Sequence, residues 1–154
     1  MRFTFEALQD LNLLTGSSYF MDFGNETTED AILTEGKLLT VFGEPAFKSD
    51  NYENAFDYVI RATDETGKSV ILSVYSVGLV HIGASQKDDF AKEAAEALIA
   101  YVSAAEPSDF THTVHYLDFG MRLDISLQNQ KISVKETELS EEEVEAIFAK
   151  WFST

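Results

Sequence analysis

The side chains best suited to proton transfer near neutral pH are three histidines, His81, His112 and His115. His112 and His115 fall on one predicted strand, three residues apart. An odd separation on a strand sends two side chains to opposite faces, so this pair cannot chelate one metal ion. His81, between Val80 and Ile82, reads as a packed or edge residue. Carboxylates offer a second chemistry. Asp57, Asp118 and Asp124 all fall on predicted strands, and two of them at a suitable separation would make an acid pair for hydrolysis. Strand carboxylates that only face water are the commoner case. The run LDFGM holds Asp118-Phe119-Gly120, the letters of a kinase magnesium motif, but no glycine-rich or catalytic loop accompanies it, and it reads as a β-turn. GxSxG, P-loop, HExxH and GxGxxG patterns do not occur in the sequence. With no cysteine, thiolate ligands and disulfides are excluded. These residues predict a protein with no metal, no cofactor and no catalysis of its own.

Acidity is the extreme property. The chain has 154 residues with 27 acids against 11 bases, a formal charge of −16. Such a surface repels nucleic acid and anionic lipid and attracts cations. At 45% hydrophobic and 12% aromatic the sequence still specifies a core and not an acidic disordered tail. The acids are spread along the chain, so no charge boundary divides it, and a single domain over 1–154 is expected. Six glutamates crowd positions 136 to 145. Half have a local reason: Ser140 with Glu143 forms a capping box, and Glu141, Glu142 and Glu143 fill a first helical turn, where the helix dipole favours anions. Glu136 and Glu138 share a strand face with Ile132 and Val134. Either the strand ends near Lys135, or two carboxylates stand at the rim of a sheet.

The elements that must position these groups follow from periodicity. Residues 4–14 read as a helix, with Phe5, Leu8 and Leu11 on one side. SSYFMDFGN reads as a short strand or a packed loop. A second helix, about 28–42, is capped by Thr27 or Thr28, buries Ala31, Leu38, Leu39 and Phe42, and stops at Gly43 and Pro45. Gly36 weakens it. Strands follow at about 56–62 and 70–75 around the turn DETGK, and the second has two apolar faces, as a covered central strand does. GLVHIGAS is a third. A helix at 86–104, boxed by Ser85 and Asp88, buries Phe90, Ala94, Leu98 and Tyr101. FTHTVHYLD, MRLDISL and KISVKE form three further strands. The last helix, 141–152, buries Val144, Ile147, Phe148 and Trp151. The order ααβββαβββα predicts an α+β domain with one antiparallel sheet of five or six strands and helices packed on it. No apolar run approaches the ~18 residues of a membrane span. The first residues carry Glu6 and Asp10 within their apolar run, unlike a secretory signal, so a cytoplasmic protein is expected.

The segment LLTVFGEPAFKSDNYENAFDYVIRATDETGKSVILSVY resembles the small acidic immunity proteins encoded beside bacterial polymorphic toxins. Leu38, Leu39, Phe42-Gly43-Glu44-Pro45, Asn51-Tyr52, Tyr58-Val59-Ile60, Asp64, Gly67 and Val74-Tyr75 carry the likeness, over about a quarter of the chain. The following SVGLVHIGA has fewer glycines than those proteins have there. The resemblance implies a stoichiometric inhibitor of a toxin domain: a cationic protein partner, steered by charge and held by a few aromatic anchors. Two acidic patches are candidates. One is the loop with Glu44, Asp50 and Glu53, where Phe47, Tyr52 and Phe56 can serve as anchors. The other is the rim with Glu136, Glu138 and Glu142. A small-molecule or regulatory domain with an apolar pocket between helix and sheet is the alternative, and a hydrolase with an unrecognised site is a third. The oligomeric state is open.

Overall fold

Residues 2–152 are described by the structure, a computed structural model. Residues 4–14 are not a helix. They form a strand, β1 (Phe3–Leu8), and one 3-10 turn at Leu11–Leu14. Phe3, Phe5 and Ala7 pack on the core while Thr4 and Glu6 face water. That is a period of two, and the helical spacing of Phe5, Leu8 and Leu11 is incidental to it. Antiparallel pairing with the long strand β4 runs the whole length of β1 and satisfies the backbone groups on that side. SSYFMDFGN contains the second strand, β2 (Ser18–Asp22).

The helix over 28–42 forms as expected: α1 (Thr28–Phe42) starts at Thr27, whose hydroxyl accepts from Asp30 N–H, and stops at Gly43 with φ of 73°. After the short β3 (Phe47–Lys48) come β4 (Phe56–Asp64), β5 (Ser69–Val77) and β6 (Leu79–Ala84). Asp64 Oδ1 organises the β4–β5 turn by accepting from Thr66 N–H, Thr66 Oγ1 and Lys68 N–H. Helix α2 (Asp89–Ser103) begins later than the sequence suggested. Asp88 is its N-cap and bonds Ala91 N–H, so Ser85 forms no box with it. Phe90, Ala94 and Leu98 are buried, but Tyr101 is 51% exposed and only leans on Phe5 and Phe42. The chain closes with β7 (Phe110–Tyr116), β8 (Met121–Gln128), β9 (Lys131–Glu138) and α3 (Glu141–Phe152).

The α+β class holds, with two antiparallel sheets in place of the single sheet expected. The first runs β1-β4-β5-β6-β2, with β3 added beside β4; the second runs β7-β8-β9. In the first sheet β5 is central, as its two apolar faces required. Helix α2 packs on β5, and α1 touches β6, β8 and α2; α1 and the 3-10 turn at Tyr52–Asn54, which touches β5 and β7, each contact both sheets. The core is continuous across them: Val114, Leu123 and Ile125 of the second sheet pack with Leu38, Tyr58 and Leu72. No helix of the described residues is long and apolar enough to cross a membrane.

Gly36, awkward in the sequence, has a reason. A Cβ there would stand 2.7 Å from Leu127 Cδ2, 2.9 Å from Pro107 Cβ and 3.0 Å from Ser108 O, and Gly36 O accepts from Ser108 N–H. The chain entering the second sheet lies flat against α1 at this point. Gly36→Ala, which improves helix propensity by ~1 kcal/mol, is therefore expected to destabilise the protein by about 1–3 kcal/mol through overpacking. Urea melts check this, and a gain in stability would show that the approach is not tight.

Candidate binding surface

The loop between α1 and β4, an acidic patch with anchors by its sequence, is at its centre a splice between the two sheets. His112, buried on β7, donates from Nε2 to Ser49 O at 3.0 Å and places Nδ1 2.7 Å from Glu35 Oε2 of α1. Its neighbour on the opposite face, His115, donates its backbone N–H to Asp50 O at 2.6 Å. His115 Nδ1 stands 3.2 Å from Asp50 Oδ2, an ion-pair distance outside hydrogen-bond geometry. Asp50 Oδ1 accepts from Trp151 Nε1 of α3 at 2.7 Å, and Lys150 Nζ lies 3.9 Å from Oδ2. Asp50 is thus engaged by three side chains of the fold itself.

Both nitrogens of His112 face acceptors, a carbonyl and a carboxylate. A neutral ring can donate from only one, so the geometry calls for the imidazolium form. Burial opposes that charge, but the Glu35 carboxylate and the Ser49 carbonyl outweigh it and raise the pKa above the ordinary histidine value.

Beyond the splice, Tyr52 sets its ring edge-to-face on Tyr116, centroids 4.4 Å apart, and Tyr116 stacks on Phe119 at 4.6 Å and 12°. Gly78 leaves room for the Tyr52 hydroxyl, which would lie 2.7 Å from a Cβ there. Tyr116 separates two grooves. One, of about 460 Å³, is floored by Met121, Leu123 and Val134 and rimmed by Glu29 and Glu136. The other, of about 340 Å³, lies between β7 and α3, with Phe148, Trp151 and Phe152 on one wall and Glu53 and Asp118 on the other. Phe119, Phe148 and Phe152 are 73%, 56% and 71% exposed, an unusual outlay of aromatic surface, and all three line these grooves. Phe148 therefore departs from its expected place in the core. The turn LDFGM that places Phe119 is a 3-10 turn ended by Gly120 at φ 58°.

The two patches read from sequence meet here in part. Tyr52, Glu53 and Glu136 line the grooves. Strand β9 continues to Glu138, so of the two readings for Glu136 and Glu138 the rim is the observed one; Glu136 faces Leu123 across the ladder and Glu138 faces Met121. Glu44, Glu138 and Glu142 are exposed but line neither groove, and the Ser140–Glu143 box that starts α3 forms as expected. Phe47 belongs to β3, paired with Asp57, and is half-buried, while Phe56 is 2% exposed in the core and offers no surface to a partner. Tyr116, Phe119, Phe148 and Trp151 were not singled out as contact residues. The signal was there for two pairs: aromatics flanking the Leu117-Asp118 turn, and the i, i+4 pair Phe148 and Phe152, of which Phe152 falls outside the face of Val144, Ile147, Phe148 and Trp151.

The three aspartates do not converge. Asp124 on β8 accepts from Thr113 and Arg122, Asp118 lies in the 3-10 turn, and Asp57 is on the other sheet. Asp57 accepts from Ser73 Oγ at 2.6 Å, and burial, partly opposed by that bond, pushes its carboxyl up to about 6. The space between α1 and the sheets is about 40 Å³, room for water but not for a ligand of several atoms.

Two pH effects follow. The raised His112 pKa means its contribution is complete below the unfolded value of ~6.5 and is lost as pH rises through the folded value. Glu35→Gln is expected to cost about 2–3 kcal/mol near pH 6 and to remove that alkaline decline. Equal slopes of stability from pH 6.5 to 9 in both proteins would show that His112 is not charged. Asp57 has the opposite consequence. Its folded carboxyl holds a proton more tightly than the unfolded one, so stability falls as pH rises from 3.8 to about 6 and stays lowered above it. Asp57→Asn is expected to stabilise the protein at pH 7 by about 1–3 kcal/mol, read from urea melts, and to have no effect near pH 3.5.

Comparison with protein-family models, with curated proteins and with solved structures finds no match for the chain.

Proposed function

We propose that this chain is a protein-binding domain whose paired aromatic grooves take a basic polypeptide, in the manner of an immunity protein that neutralises a toxin. The observation that carries the reading is the coincidence of exposed aromatics with acids at one place. Phe119, Phe148 and Phe152 stand beside Glu29, Glu53, Asp118 and Glu136 around Tyr116. Aromatic rings in a partly desolvated groove supply affinity, and they attract an arginine or lysine of the partner through their faces as well. The rim carboxylates and the net charge of −16 supply steering. The grooves open between β7, the loop around Tyr52 and α3, elements that the splice holds together, so they are shaped before a partner arrives. No residue of this surface needs to do chemistry, and stoichiometric occlusion of a basic cleft is the function that suits it.

The test is association kinetics with the basic polypeptide encoded beside this chain, at two salt concentrations. Tyr116→Ala is expected to speed dissociation by about thirtyfold, as loss of a central aromatic anchor does. Glu53→Lys with Glu136→Lys is expected to slow association and flatten its salt dependence with little change in folding stability. Variants at Glu44 and Glu142, off the grooves, serve as controls. If those controls lose binding while the groove variants behave as wild type, the surface is wrongly placed. If the neighbouring polypeptide does not bind at all, the immunity reading fails.

A further inference from the structure

A second site lies on the outer face of the first sheet, away from the aromatic grooves. We propose that it binds a small primary ammonium compound, with the nitrogen held by the Asp57 carboxylate and by the hydroxyl oxygens of Ser17 and Ser73. A pocket of about 200 Å³ opens there, lined by Leu14, Ser17, Ser18, Asp57, Ser73 and Tyr75. Asp57 Oδ1 accepts from Ser73 Oγ, and no described residue donates to Oδ2. Ser17 Oγ is buried without a hydrogen-bond partner. Ser73 Oγ, which donates its O–H to Asp57, still has lone pairs to accept with. An ammonium group has three N–H donors and no acceptor, and these three oxygens are its complement. A methylene chain would lie on Leu14 and the Tyr75 ring.

The backbone lets Ser17 and Ser18 sit close on the sheet beside the pocket. Gly83, next to Ser73 in the ladder, is buried, and a Cβ there would stand 3.0 Å from Ser17 Oγ, 3.2 Å from Ser18 O and 3.3 Å from Tyr75 Cε1. The surrounding charges leave Asp57 without a cation. Arg61, on the same strand face, pairs with Glu6 of β1 at 3.3 Å. His81, across from Tyr75, is turned to Asp22 at 3.0 Å, and Asp22 also accepts from Tyr19. Lys87 is bonded to Ser18 Oγ at the pocket wall, and Asp10, leading into the covering 3-10 turn, caps Asn12 N–H. Burial without a counter-ion is what raises the Asp57 carboxyl to about 6, and a bound cation would draw it back down.

The experiment is a titration of the intact protein with butylammonium chloride, followed through the backbone amides of residues 17, 57, 73 and 75. Saturable shifts are expected at pH 7.5 with a dissociation constant of about millimolar, the range for so small a ligand. Affinity is expected to fall about tenfold per pH unit below 6, as Asp57 takes up its proton. Asp57→Asn, which leaves the fold at least as stable, is expected to abolish the shifts, and Ser17→Ala to weaken them several-fold. Tetramethylammonium, equally charged but without N–H donors, is expected to leave these amides unmoved. Absence of saturable shifts, an equal response to tetramethylammonium, or unchanged binding by Asp57→Asn would each overturn the proposal. Loss of the shifts in Tyr116→Ala would overturn it as well, by assigning the amine to the aromatic grooves.

Discussion

Two consecutive carbonyl oxygens, those of Ser49 and Asp50, join the halves of this molecule. One accepts from the His112 ring and the other from the His115 backbone, so a single strand, β7, grips the loop with a side chain and with its backbone edge. The same loop is hydrogen-bonded to the first sheet through β3, and Ser49 N–H donates to Ala55 O. The sheets share no ladder, and the join is made by one backbone bridge, between Asn51 and His115, and by the ring of His112. A helical connection and a continuous core bring the sheets close, but apolar contact alone does not fix a register between them. The imidazolium of His112, held between Glu35 and Ser49, does fix it. This is a buried ionic contact whose worth lies in specifying an arrangement as much as in net stability.

The aromatic surface inherits its shape from this join. Asp50 receives the indole of Trp151, which brings α3 beside β7 and creates the second groove. Tyr52, two residues on, is delivered to Tyr116 and builds the wall between the grooves. Helix α3 buries none of its residues fully, so its position rests largely on Trp151 and on its capped start at Ser140.

Much of the fold was legible because local and tertiary preferences agreed. The strands around Gly67, the helix between Thr27 and Gly43, and the Ser140–Glu143 box follow from periodicity and capping alone. The start of the chain was not legible, because six residues with Phe3, Phe5 and Leu8 fit both a strand and a helix until β4 is present to pair with them. The division into two sheets was hidden for a similar reason: α2 separates β6 from β7, and nothing local states whether strands on either side of a helix will pair. The site was half legible. Acids and Tyr52 were conspicuous, but the role of Asp50 depends on His115 and on Trp151, 101 residues away. Phe119 was masked by its place in a familiar run of letters.

Two features of the molecule work against its own stability, and they lie on different faces. The exposed phenylalanines around Tyr116 leave apolar area in water that a purely structural sequence would cover. Asp57 buries a carboxylate opposite no cation, where an asparagine would accept the same Ser73 bond without a charge to desolvate. Neither feature is needed by the elements that carry it. β4 would pair equally well without the acid, and α3 keeps its cap and its Trp151 tether without Phe148 or Phe152. Local choices that oppose the fold without a compensating contact are the usual mark of a binding site, because the missing contact belongs to the ligand. The two faces are also chemically distinct, one broad and aromatic, the other narrow and oxygen-lined. A basic polypeptide suits the first and a single ammonium group the second.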